Sequence, residues 1–137
     1  LALWPQAHAA GFTGMAKILI VDDSQAHRYA LRKILEDAEY DVISAEDGDE
    51  GIHKAASEMP DIILMDVVMP GLNGFQATRK IARNPATASI PVIFVTTKDQ
   101  ETDRIWGMRQ GAAAYITKPV DKGALLASIT QALETQA

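Results

Sequence analysis

Pro60-Asp61-Ile62-Ile63-Leu64-Met65-Asp66-Val67-Val68-Met69-Pro70-Gly71 decides the fold. The stretch opens on a turn residue and runs from Ile62 to Met65 without a polar side chain. It then delivers Asp66 and stops at Pro70-Gly71. A short apolar run bounded by turn signals reads as a strand buried on both faces, the kind that parallel sheets use. Open α/β sheets place their chemistry in the crevice beyond the carboxyl ends of the strands. Asp66 is therefore the candidate reactive group, and the other elements are its supports.

Four more strand-like runs flank it. Lys17-Ile18-Leu19-Ile20-Val21 ends in Asp22-Asp23, and Asp41-Val42-Ile43-Ser44-Ala45 is shorter. Residues 90–95 end in Thr96-Thr97, with Pro91 tolerable at the strand entrance, and residues 113–117 end in Lys118-Pro119. The intervening segments carry helix signals. Ser24 is an N-cap before Leu31, Ile34, Leu35 and Ala38 at helical spacing. Asp47 with Glu50 and Asn73 with Gln76 have the spacing of capping boxes. Asp99 is expected to cap a polar helix that Gly111 stops, and Asp121 to cap a last helix striped by Leu125, Leu126, Ile129, Ala132 and Leu133. Five strands alternating with five helices predict an α/β fold, a parallel sheet covered on both faces, because each parallel pair needs a crossover.

The bulk composition narrows the function. The 137 residues make one domain, 47% apolar and 23% charged. The absence of cysteine excludes disulfides, thiol catalysis and Cys-based zinc sites, and fits a cytoplasmic location. A net charge of -5 argues against a nucleic-acid partner. No apolar run approaches the ~20 residues of a membrane span. Residues 1–14 differ in composition from the rest and read as an extension upstream of a domain at 15–137, poorly ordered unless docked.

Position carries the rest. In a parallel sheet Asp22, Asp23, Asp66, Thr96 and Lys118 all converge on one edge. Carboxylates packed that closely repel one another and call for a cation, most simply Mg²⁺, which takes hard oxygen ligands. A carboxylate beside Mg²⁺, an ammonium and a hydroxyl can attack a phosphoryl group and hold the oxygens of the resulting aspartyl phosphate.

In this order on successive strands, Asp22-Asp23, Asp66, Thr96 and Lys118-Pro119 resemble the receiver domain of two-component response regulators. The likeness spans Met15 to the C-terminus and leaves no stretch of this sequence for an output domain. The segments around Asp66-Val67-Val68-Met69-Pro70 and Thr96-Thr97-Lys98-Asp99 are similar to stand-alone CheY-like regulators of type IV pilus twitching motility. The resemblance implies a flavodoxin-like (βα)5 sheet in the order 2-1-3-4-5. It implies that Asp66 accepts a phosphoryl group from a CheA-like histidine kinase. It gives Asp22, Asp23, Asp66 and the backbone carbonyl of Val68 to Mg²⁺, and Lys118 to the phosphoryl oxygens. Thr96 and Tyr115 become switch residues, the Lys118–Pro119 peptide cis, and the face carrying Trp106 and Tyr115 a docking surface for a downstream protein.

Plainer readings stand beside these. Asp22 and Asp23 alone read as helix caps, Thr96 as an ordinary strand end, and Lys118 as a solvated lysine. Tyr115 reads as a packed strand residue. Met59, Met65, Met69 and Met108 read as core or gap filler. His27 and His53 lack ligand-like spacing and read as isolated residues on helix surfaces. Trp106 suits either a partner anchor or packing on the fifth strand. Rival functions are a phosphate sink, a binding module indifferent to phosphorylation, and a haloacid-dehalogenase-like phosphatase. The last would want a second aspartate where Val68 stands.

Overall fold

The computed structural model describes residues 16–136. The expectation for residues 1–14 lies outside them. Five strands, β1 (Lys17–Val21), β2 (Asp41–Ala45), β3 (Ile62–Met65), β4 (Val92–Thr96) and β5 (Ala114–Thr117), alternate with five helices. These are α1 (Gln25–Asp37), α2 (Gly48–Glu58), α3 (Gly74–Arg83), α4 (Glu101–Arg109) and α5 (Lys122–Gln136). Every strand pair is parallel, and the order is β2-β1-β3-β4-β5. The expected fold class and strand order are both present.

Strand periodicity divides the core in two. On one face Ile18, Ile20, Ile62, Leu64, Ile93 and Val95 pack with Leu31 and Leu35 of α1 and Leu125 and Ile129 of α5. On the other, Leu19, Val21, Ile63, Met65 and Phe94 pack with Ala55 of α2 and Phe75, Ala77 and Ile81 of α3. Each fully buried Ile or Leu contributes about 1.5–3 kcal/mol, so these two layers hold the sheet rigid beneath its carboxyl edge. The fourth helix is the exception. Gly107 is its one buried residue, while Ile105, Trp106 and Met108 are exposed. A helix with so little apolar burial is the easiest of the five to displace.

Local chemistry explains the helix starts. Ser24 accepts from His27 N, Asp47 from Glu50 N, and Asn73 and Gln76 form a reciprocal capping box. The Glu50 carboxylate reaches back one residue further than a standard box, to Glu46 N at 2.7 Å. That bond and Lys54 hold its pKa below the usual carboxylate range. Three expectations need correction. The cap of α4 is Gln100, not Asp99, because Asp103 Oδ2 accepts from Gln100 N. Strand β4 begins at Val92, after Pro91, which has no N–H to give the ladder. Met65 and Met69 are core residues, but Met59 and Met108 are exposed, Met59 because it ends α2 in the left-handed region at φ 47°.

Candidate functional site

The carboxyl edge of the sheet gathers the polar groups. Parallel pairing continues one residue past two strand ends. Asp22 N donates to Ala45 O at 3.2 Å, and Asp66 N donates to Val21 O at 2.9 Å. Lys118 N likewise donates to Thr96 O at 2.8 Å. These bonds fix the backbones of the residues whose side chains meet above the sheet. Asp22, Asp23 and Asp66 each offer a carboxylate oxygen, and the three oxygens lie within 4.8 Å of one another. Asp22 and Asp66 are buried, and Asp23 is exposed.

Each buried carboxylate has one oxygen tied to the backbone and one turned to Lys118. Asp22 Oδ1 accepts from Ser24 N at 2.9 Å, and Asp66 Oδ1 accepts from Val67 N at 2.7 Å. The Lys118 ammonium donates to Asp22 Oδ2 at 2.6 Å and lies 3.4 Å from Asp66 Oδ2. Three carboxylates against one ammonium leave a surplus of negative charge. Two like charges no more than 4.8 Å apart repel by roughly 3 kcal/mol at an effective dielectric of about 20, less where solvent reaches Asp23. All-oxygen donors with surplus negative charge fit a small hard divalent cation.

Thr96 ends β4 with its side chain fully buried, and its Oγ1 accepts from Lys98 N at 3.2 Å. The Lys98 carbonyl in turn accepts from Tyr115 Oη at 2.7 Å. The backbone of Lys98 thus links Thr96 to Tyr115. Burial, reinforced by Asp103, Asp66 and Asp99, pushes the Tyr115 phenol up to about 12, so it remains a proton donor to that carbonyl. The Tyr115 ring lies 5.9 Å from Phe94. It also lies against Gly107, where an added Cβ would come within 2.8 Å of Tyr115 Cδ2. Gly107→Ala is therefore expected to push the ring outward and break the Tyr115–Lys98 bond. The measurement is the Tyr115 phenol titration by NMR, which should fall toward 10; an unshifted titration would count against the packing described.

The Lys118–Pro119 peptide is cis, as expected. Val68 is exposed beside Asp66, with its N 3.4 Å from Asp66 Oδ1. Trp106 is 44% exposed. His53 is exposed on α2. His27 is on a helix surface but is not isolated, since its Nδ1 is 2.8 Å from Lys118 Nζ and 3.9 Å from Asp22 Oδ2. The sequence held one signal for it: a residue three positions after an N-cap lies one turn into the helix, above the strand end that precedes the cap. Gly74 was also passed over. Its N donates to Val67 O at 2.9 Å, and its bare Cα faces the Asp66 carbonyl.

Comparison with known proteins agrees with this geometry. The family model "Response regulator receiver domain" matches residues 18–130. The chain is 56% identical over 119 residues to protein PilH of Pseudomonas aeruginosa, covering 87% of this chain and 98% of that protein. It is 38% identical over 113 residues to protein PilG of the same organism, covering 82% and 84%. Among solved structures, Vibrio cholerae chemotaxis protein CheY4 superimposes with a TM-score of 0.80 at 32% identity, covering 86% of this chain and 98% of that one. With the acidic cluster, the lysine and the strand order already in register, the chain belongs to the response regulator receiver domain family.

Proposed function

We propose that this protein is a phosphorylation-controlled signalling switch that takes a phosphoryl group onto Asp66 from a CheA-like histidine kinase. The observation that carries the reading is the Lys118 ammonium set between Asp22 and Asp66 inside a triad of carboxylates. Likeness to PilH and PilG supports a place in type IV pilus or chemotaxis-like signalling.

The Asp66 carboxylate attacks the phosphorus of the kinase phosphohistidine. The P–N bond breaks, and the imidazole leaves with the electron pair and takes up a proton. Asp22, Asp23, Asp66 and the Val68 carbonyl would hold Mg²⁺, which when bound would neutralise phosphoryl charge. Lys118 shifts from Asp22 to donate to the phosphoryl oxygens, which pulls positive charge to the side where negative charge accumulates. Thr96 donates its hydroxyl to the phosphate, giving up the bond from Lys98 N. That rearrangement reaches Tyr115 through the Lys98 peptide and alters the face formed by α4 and β5, where Trp106 anchors a downstream protein. The thin packing of α4 makes this the element that moves at least cost.

Two assays test the proposal. Acetyl phosphate with Mg²⁺ is expected to add one phosphoryl group per chain, and chelation to prevent it. Steady-state turnover of small phosphoesters is expected to be absent, whereas sustained turnover would favour the phosphatase reading. The lifetime of the product follows from Val68 and Lys98, both exposed. Neither side chain positions an attacking water as an amide does. Val68→Asn is expected to speed phosphate release from the phosphorylated protein by about tenfold. Equal release rates would remove Val68 from the account.

A further inference from the structure

We infer that His27 is a positioning residue for Lys118: its Nδ1 holds the ammonium on Asp22 and so sets how readily a divalent cation enters the carboxylate cluster. This rests on the receiver reading of the site.

An ammonium has three N–H donors and no acceptor. Around Lys118 Nζ stand three acceptors, Asp22 Oδ2 at 2.6 Å, His27 Nδ1 at 2.8 Å and Asp66 Oδ2 at 3.4 Å. The two short contacts lie on the Asp22 side, and the long one goes to the phosphoacceptor. Facing an ammonium, Nδ1 must accept, which puts the ring proton on Nε2. The ring is held in place from its own backbone, because His27 N donates to Ser24 Oγ and Ser24 N donates to Asp22 Oδ1. One chain of bonds therefore runs from Asp22 through the start of α1 to His27 and returns through Lys118 to Asp22.

The arrangement has a consequence for the metal. A cation entering the cluster shares Asp22 with the ammonium and is repelled by it. Anything that fastens Lys118 to Asp22 opposes the metal. A surface cavity of about 280 Å³ bordered by His27, Leu31, Ile34, Lys118 and Val120 gives the two side chains room to part. His27 is the adjustable member of the set, since its side chain is 46% exposed and that of Asp22 only 2%. It is outside the acidic triad and touches no phosphoryl oxygen in the mechanism above.

The test is calorimetric titration of Mg²⁺ alone, without phosphodonor, into the full chain and its variants. His27→Ala, on an exposed helix face, is expected to bind Mg²⁺ about three- to tenfold more tightly, the weight of one partly exposed hydrogen bond to a charge. His27→Gln, whose side-chain oxygen accepts at similar reach, is expected to restore most of the original affinity. In a Lys118→Ala background, His27→Ala is expected to change nothing, because the partner is gone. Unchanged or weaker affinity for His27→Ala, or an effect that survives loss of Lys118, would overturn the inference and leave the receiver reading standing. Failure of the unaltered protein to bind Mg²⁺ would overturn both.

Discussion

Asp66→Asn protein is expected to take up no phosphoryl group from acetyl phosphate under conditions that label the unaltered chain fully. The substitution keeps the shape of the side chain and an oxygen to accept from Val67 N, a 2.7 Å bond in the native chain. It removes the nucleophile, since an amide oxygen does not form a stable phosphoryl ester. Fold damage can be separated from chemistry here. The native site sets three carboxylates against one ammonium, and Asp66 makes the longer of the two carboxylate contacts to Lys118. Deleting that charge relieves repulsion and leaves the 2.6 Å Lys118–Asp22 pair in place. The melting temperature is therefore expected to hold or rise while labelling disappears. Mass spectrometry of the intact chain and a thermal melt of the same sample check both halves. Residual labelling would mean a second acceptor, and a large fall in stability would mean that Asp66 is a structural residue.

Gly74→Ala is expected to be the most damaging single-methyl change in the site. The Cβ it adds would come 2.0 Å from the Asp66 carbonyl oxygen and 2.9 Å from Val67 Cα. Both are backbone atoms between the fixed end of β3 and the capped start of α3, so neither can turn aside. Overpacking usually costs about 1–3 kcal/mol and more when backbone must move. About 3 kcal/mol, or a melting temperature lower by about 10 °C, is the expected loss. Labelling should fall as well, because the displaced carbonyl belongs to the phosphoacceptor. Two other glycines serve as controls. Gly71→Ala meets nothing within 4 Å, but its φ of +74° costs an alanine about 1 kcal/mol. Gly51→Ala meets the Val21 methyls at 2.9 Å, and a side chain can give way. A Gly74→Ala protein that melts with the Gly71→Ala protein would show that α3 shifts freely.

Much of this site was readable before any coordinates, for a physical reason. A strand buried on both faces has no place for a charge inside it, so Asp22 and Asp66 stand out against the buried runs they end, and Lys118 marks the end of the half-buried β5. Parallel pairing then places all strand ends together without knowledge of the strand order. The order itself is not written in periodicity and came from resemblance. What was missed depends on distance in space. His27 and Lys118 are 91 positions apart, and the place of His27 one turn after its cap points to the end of β1 but not to Lys118. Gly74 looks like any small residue at a helix start. Its need to be bare comes from the Asp66 and Val67 backbone, against which its Cα is packed. Met59 and Met108 look apolar in the sequence, but their exposure follows from a left-handed helix end and from the shallow seating of α4.

If Asp66, Asp22, Asp23 and Lys118 form one phosphoryl-accepting pocket, the modified residue can be located. The protein is incubated with acetyl phosphate and Mg²⁺, reduced with borohydride to convert an aspartyl phosphate to homoserine, and sequenced by tandem mass spectrometry. Homoserine is expected at position 66 alone, and none when Mg²⁺ is chelated. Homoserine at position 22 or 23, or equal yields with and without the metal, would show that no such pocket forms.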